Sequence, residues 1–252
     1  DGEPGRDDLA PGEQAVGAIT KADILAFRAD LAKAPARNKQ TTLSNPRINK
    51  ILDPLRQILC EAADRFDFRT PFQNIKQLKI KRTHVEPFSL DEVSRIINTV
   101  RPDFKNYFTV RFFTGMRTGE VHGLKWKYVD FNKRMILVRE SIVAGEQDYT
   151  KTDASQREIQ MSGLVYDALV AQAKVSQTKS EYVFCNRNGE PFDHNNITKR
   201  VWYPLLRFLG LKERRPYQSR HTAATLWLAS GENPLWIARQ LGHTSTEMLF
   251  KV

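Results

Sequence analysis

Thr114-Gly115-Met116-Arg117-Thr118-Gly119-Glu120-Val121, followed by Gly123-Leu124-Lys125-Trp126, is the stretch from which the rest of the 252-residue chain can be ordered. Residues 104–113 read as a helix that stops in the turn Thr114-Gly115, and residues 120–124 as a short helix after it. Upstream, Ser89-Leu90-Asp91-Glu92 has the form of a capping box, with Val93, Ile96, Ile97 and Val100 at helical spacing behind it. Downstream, Met135–Val138 and residues 157–161 read as strands of a small antiparallel sheet, separated by a polar, turn-rich segment over 145–155. Helices are expected again at 164–173, 196–209, 221–229 and 234–241, and residues 247–252 read as the start of another. The fold class is therefore mainly α with a small antiparallel sheet.

Further upstream, Thr20 and Asp23 resemble a second capping box, with Ile24, Phe27 and Leu31 marking one apolar face. Ile48, Ile51, Leu52, Leu55, Leu59, Ala62, Ala63 and Phe66 mark a second helix, which Pro54 should kink or restart. Gln77-Leu78-Lys79-Ile80-Lys81-Arg82 shows little periodicity and reads as a linker approaching Pro87. At about 150 residues per domain, the length allows one large domain or two small ones. The expected division is a flexible acidic lead-in over 1–19, a helical domain over 20–82, a linker over 83–88 and a second domain over 89–252.

Charge separates these segments. The whole chain carries 39 Lys and Arg against 29 Asp and Glu, net +10. Residues 1–20 hold five acids and one base, residues 21–85 hold 14 bases and six acids, and residues 86–252 hold 24 bases and 18 acids. The first helical domain is thus the most basic per residue, the composition of a surface that attracts polyanions, nucleic acid first. Two cysteines, Cys60 and Cys185, exclude a disulfide scaffold and a cysteine-based zinc cluster, which fits a reducing, cytosolic setting. No stretch approaches the roughly 20 apolar residues that span a bilayer, and no signal-peptide core is visible near the start. The first residue is Asp1 rather than Met, as expected if an N-terminal piece has been removed.

Four short stretches occur in order over roughly 130 residues. They are the one quoted above, then Lys151-Thr152 leading to Arg157, then Tyr217-Gln218-Ser219-Arg220-His221-Thr222, and finally Leu241-Gly242-His243-Thr244-Ser245. Together they resemble the tyrosine recombinase (phage integrase) family. The resemblance implies a helical core-binding domain at 20–82 that grips DNA, followed by an α+β integrase-type catalytic domain at 89–252.

The chemistry of such a site suits these residue types. Attack on a phosphodiester builds negative charge on its non-bridging oxygens, and two guanidiniums can clamp those oxygens while staying charged at any working pH. Arg117 and Arg220 are the candidates. The resemblance assigns Lys151 to protonating the 5′ oxygen that leaves, a role that fits an ammonium able to titrate when desolvated. Glu120, three residues after Arg117, is expected on the same helix face, orienting the cations. His243 follows a glycine that ends a helix, and the resemblance gives it a hydrogen bond to phosphate or nucleophile. His221 opens an apolar helix and reads as structural. Tyr217 stands where the family usually has His; a phenol is a poor base at neutral pH but a good donor, so Tyr217 is expected to position the phosphate.

The family's nucleophile is a tyrosine shortly after the Leu-Gly-His motif. None of the seven tyrosines follows Tyr217, and Val252 lies nine residues after His243. The chain therefore reads as one cut just before its nucleophile, expected to bind DNA without forming a covalent intermediate. The resemblance implies a site-specific DNA recombinase acting through a 3′-phosphotyrosine, with no metal or other cofactor because arginine charge stands in for divalent ions. Double-stranded DNA carrying specific recombination sites is the expected partner, with a homotetramer on DNA for the intact protein and a monomer for this chain alone. No membrane association is expected, and the localisation is a bacterial cytoplasm. A type IB topoisomerase-like enzyme and a DNA-binding regulator without cleavage activity are the alternatives.

Overall fold

The computed structural model describes residues 16–37, 40–80, 85–143, 146–149 and 156–250. They belong to two compact units, 1–83 and 84–252. Lys151, and most of the lead-in expected over 1–19, lie outside the described residues.

In the first unit, helix α1 (Lys21–Lys33) opens on the anticipated box: the Asp23 amide donates to Thr20 Oγ1 and the Thr20 amide donates to the Asp23 carboxylate at 2.8 Å. Its apolar face is narrower than expected, because Ile24 is buried while Phe27 is 43% exposed. Helix α2 (Asn45–Arg65) runs through Pro54 without restarting. Leu52 and Leu59, buried on either side of the proline, hold the helix across the one hydrogen bond that Pro54 cannot make. Ile24, Leu59, Phe72 and Ile75 form this unit's core.

The segment read as a linker at 77–82 is, over its described part, fixed to α2. Asn49 donates to the Leu78 carbonyl and accepts from the Leu78 amide, both at 2.9 Å. Asn45 and Arg56 donate to the carbonyls of Lys79 and Ile75, also at 2.9 Å. The segment lacks periodicity because side chains of a helix, rather than a strand or helix ladder, satisfy its backbone.

The second unit begins with α3 (Leu90–Thr99), capped by Ser89 and Glu92 as expected, then α4 (Pro102–Thr114) and α5 (Thr118–His122). Strands β1 (Val129–Asp130), β2 (Met135–Val138) and β5 (Arg157–Gln160) make an antiparallel sheet in the order β1-β2-β5. Ile136 faces Ile159 across β2 and β5, and both are fully buried. A separate hairpin, β3 (Glu140–Val143) and β4 (Glu146–Tyr149), lies between those strands in sequence, and β4 falls in the segment expected to be turn. Its alternation is too short and too polar to read as strand from sequence.

Helix α6 (Gly163–Ser176) packs against α4. The single helix expected over 196–209 is instead α7 (His194–Ile197), a wider π-type turn over Thr198–Trp202, and α8 (Tyr203–Phe208). Pro204 has no amide to give, and the Tyr203 amide before it reaches back five residues to Thr198. The chain ends with α9 (Gln218–Ala229), α10 (Pro234–Leu241) and α11 (Thr246–Phe250). Phe88 corrects the 83–88 linker. It is buried against Trp202 and Phe112, with ring centroids 5.6 and 5.7 Å away, and its amide donates to Thr222 on α9. Its aromatic ring makes it part of this unit's core.

Candidate active site

Arg117 leaves α4 through Gly115, whose φ of +61° is left-handed. A Cβ there would also come within 2.6 Å of Leu241 Cδ2, the movable end of a side chain, so it is the left-handed turn that calls for glycine. Arg117 then caps α5. Its amide donates to Glu120 Oε2 at 2.7 Å, and its Nη1 donates to Glu120 Oε1 at 2.8 Å. The same-face expectation for Glu120 thus takes the form of a direct ion pair.

Glu120 also holds a second arginine that sequence reasoning did not place in the site. Arg157 Nη1 and Nη2 donate to the two Glu120 oxygens at 2.9 and 2.7 Å, and its Nε donates to the Gln240 carbonyl at 2.6 Å. Glu120 and Arg157 are both buried. Burial works to raise the Glu120 pKa, but the hydrogen bonds and charge of Arg157, and then Arg117, overcome it and hold the carboxyl at about 2. One signal for Arg157 was available: it shares a strand face with the apolar Ile159 and Met161, and an arginine there points inward.

Arg220 is more deeply placed than Arg117, 3% exposed. Its Nη1 donates to the Gly115 carbonyl at 2.7 Å and its Nη2 to the Leu241 carbonyl. One guanidinium therefore ties the turn before Arg117 to the last residue of α10. Burial first, then the neighbouring charge of Arg117, lowers its pKa to about 10, which still leaves it a cation at neutral pH. Gly242 ends α10 in the left-handed region, φ +68°, and its open side is filled by the Arg157 side chain. The chain turns there, the His243 amide donates to the Ala238 carbonyl, and the ring is delivered toward the arginines.

His243 reports the convergence. Burial, then the charges of Arg220, Arg117 and Arg157, push its pKa down to about 4, so the ring is neutral near pH 7. Its buried Nδ1 has no hydrogen-bond partner among the described residues. Tyr217, Arg220, His221, His243 and Leu249 line a cavity of about 130 Å³. His221, read as structural, shares this wall and meets Tyr217 edge-on with ring centroids 5.2 Å apart. Tyr217 is 44% exposed and also lines an open groove with Thr118, His194, Tyr203 and Arg215.

Two glycines of the opening stretch bring β3 against α5. A Cβ on Gly119 would lie 2.5 Å from the Ile142 carbonyl oxygen, and one on Gly123 would crowd the backbone at Ser141 and Ile142. At the base of that hairpin, buried Glu140 pairs with Lys125 at 3.0 Å and accepts the Tyr128 hydroxyl at 2.6 Å. Among the described residues, no group of three His, Cys, Asp or Glu side chains could hold a metal ion. No helix of the described residues is long and apolar enough to cross a membrane.

The structure thus assembles Arg117, Glu120, Tyr217, Arg220 and His243 from three segments, and adds Arg157 from a fourth. Comparisons with known proteins bear on the fold and the family. Solved structures share the fold: the Tn1549 transposon integrase in complex with a circular intermediate DNA superposes with a TM-score of 0.77 at 19% identity, covering 97% of this chain and 84% of that one. A lambda integrase tetramer bound to a Holliday junction gives 0.68 at 14% identity, covering 91% and 66%. Among curated relatives, prophage integrase IntR of Escherichia coli (strain K12) is 26% identical over 93% of this chain, and the ICEBs1 integrase of Bacillus subtilis (strain 168) is 25% identical over 93%. The match spans 64% of the first relative's length and 66% of the second's. The model of the phage integrase family matches residues 86–251, nearly the whole second unit, and the chain belongs to that family.

Proposed function

We propose that the second unit binds one scissile DNA phosphate and supports its cleavage and rejoining through a 3′-phosphotyrosine, the chemistry of a site-specific recombinase. The observation that carries this reading is the convergence of three arginines beside His243: Arg117 and Arg157 share Glu120, Arg220 bonds the Gly115 and Leu241 carbonyls, and Arg220 and His243 line one cavity. Arg220 has five N–H donors and gives two to backbone carbonyls, which leaves donors for a non-bridging oxygen. Arg117 gives its amide and Nη1 to Glu120 and keeps further donors on a side chain that is 38% exposed. Glu120 and Arg157 act by holding Arg117. His243 donates one hydrogen bond, Tyr217 positions the phosphate from the groove side, and Lys151 protonates the leaving 5′ oxygen.

The attacking hydroxyl is assigned to a tyrosine beyond Val252, since the resemblance places one shortly after His243 and none of the seven tyrosines lies there. Helix α11 supports that assignment, because Leu249 packs into the cavity beside Arg220 and His243. The helical part of the first unit, with its excess of eight positive charges over 21–83, is assigned to gripping the duplex, and a tetramer on DNA to the intact protein.

The test uses a chain continued beyond Val252 and a nicked duplex that traps the covalent intermediate. A complex that forms with the parent sequence and disappears in Arg117→Ala and Arg220→Ala supports the reading. Cleavage that persists in both variants overturns it. Slow cleavage in Lys151→Ala, rescued by a 5′-thio leaving group that needs no proton, supports the acid role. Relaxation of supercoils without a preferred sequence would favour the topoisomerase-like alternative, and tight DNA binding with no covalent product the regulator.

A further inference from the structure

Arg111 lies within α4, 1% exposed, and among the described residues no carboxylate is paired with it. Its donors go to neutral oxygens: Nε to Ser219 Oγ at 3.0 Å, Nη1 to the Tyr107 hydroxyl at 2.7 Å, and Nη2 to Thr118 Oγ1 at 2.6 Å. The Tyr107 oxygen in turn lies 2.8 Å from His122 Nε2. That histidine adds no second positive charge, since burial and then the charge of Arg111 itself lower its pKa to about 3 and leave it neutral.

A buried guanidinium without an anion is costly, and an apolar side chain would fill the same space more cheaply. The position of its partners explains what the charge and the fork achieve. Thr118 is the residue after Arg117, and Ser219 is the residue before Arg220. One planar group on α4 thus bonds at once to the start of α5 and the first turn of α9, the two segments that carry the phosphate-clamping arginines. Arg220 ties the Gly115 turn to the end of α10, whereas Arg111 sets the spacing of the two clamp-bearing segments themselves.

We infer that Arg111 is a positioning residue for the phosphate site, holding the Arg117 and Arg220 segments at the separation one phosphate needs and leaving a positive charge that the bound phosphate offsets. This rests on the proposed phosphate-binding role of Arg117 and Arg220. It makes two demands that a packing role does not. Phosphate affinity falls when the fork is lost even though the protein stays folded, and that loss is separable from stability, because removing an unpaired buried charge offsets the lost hydrogen bonds.

The experiment titrates the ¹⁵N-labelled 252-residue chain with inorganic phosphate and follows the Nε–Hε signals of Arg117 and Arg220. In the parent chain both signals shift and saturate, and Arg220→Ala removes the response. Arg111→Met retains cooperative unfolding and weakens phosphate binding about tenfold, the range of coupling within one hydrogen-bond network. Arg111→Lys keeps the charge without the fork and lies between the two. Parent-like affinity in folded Arg111→Met overturns the inference while leaving the clamp intact. If Arg111→Met does not fold, Arg111→Lys decides, and parent-like affinity there overturns it equally. Phosphate that moves neither Arg117 nor Arg220 in the parent chain overturns the clamp itself and the inference with it.

Discussion

Arg220 donates to the carbonyl of Gly115, 2.7 Å away and 105 residues distant in sequence. Through its other terminal nitrogen it also holds Leu241, so a single side chain fixes the approach of Arg117 and of His243. A lysine at 220 cannot bridge two carbonyls and still present planar donors to an anion. In a chain continued beyond Val252, Arg220→Lys is therefore expected to lose about a hundredfold or more in single-turnover cleavage, close to the loss in Arg220→Ala, despite the retained charge. Recovery of parent-like cleavage by lysine would show that charge alone suffices.

Glu120 takes two arginines at once and is almost wholly inaccessible to solvent. Neutralising it in Glu120→Gln leaves Arg157 buried without its anion, at an expected cost of about 3 kcal/mol in urea unfolding. The double variant Glu120→Gln/Arg157→Met should regain part of that loss, because the stranded charge is removed with its partner. Additive losses would mean that the pair does not act as a unit.

Acid should loosen the site before it protonates carboxylates. His243 and His122 are lowered from 6.5 to about 4 and about 3, both by burial first and then by arginine charge. The unfolded chain therefore binds protons at these residues more readily than the folded one. Their contribution is complete above about pH 6.5 and is lost as pH falls through 4 and then 3. Glu120, lowered from 4.5 to about 2, adds its loss only below pH 4.5. The melting temperature should fall between pH 6.5 and 4.5, with a shallower fall in His243→Gln. An unchanged slope in that variant would show that the arginines do not press on this ring.

Most helices and the β2–β5 pairing were legible because their signals are local: caps at Thr20 and Ser89, a left-handed glycine after Thr114, and alternation at 157–161. The hairpin β3–β4 was not, because backbone contact with α5 rather than side-chain pattern stabilises it. Phe88 and the segment before residue 81 were misread as linker for a related reason, since their partners lie far off in sequence. In the site, Arg117, Arg220 and His243 were found by motif. Arg157 and Arg111 were missed because each gains its meaning from partners on other elements: Arg157 from Glu120 and Gln240, Arg111 from Thr118 and Ser219.

Gly119 gives a test in which two effects oppose each other. Inside a helix, alanine is better than glycine by about 1 kcal/mol. Here the added Cβ would meet the Ile142 carbonyl oxygen at 2.5 Å, a backbone atom that moves only if β3 moves. The clash should win, and Gly119→Ala is expected to lower stability by about 1–3 kcal/mol and slow cleavage through displacement of the hairpin. A stabilised variant would show that the hairpin docks on α5 more loosely.

The central claim is that side chains from separate segments meet on one backbone phosphate. A crystal structure of the chain bound to a short DNA duplex tests it most directly. The account predicts a single phosphate within hydrogen-bond reach, roughly 3 Å, of Arg117, Arg220 and His243 together. Density placing the duplex on another face, with these three side chains contacting no common phosphate, would contradict it.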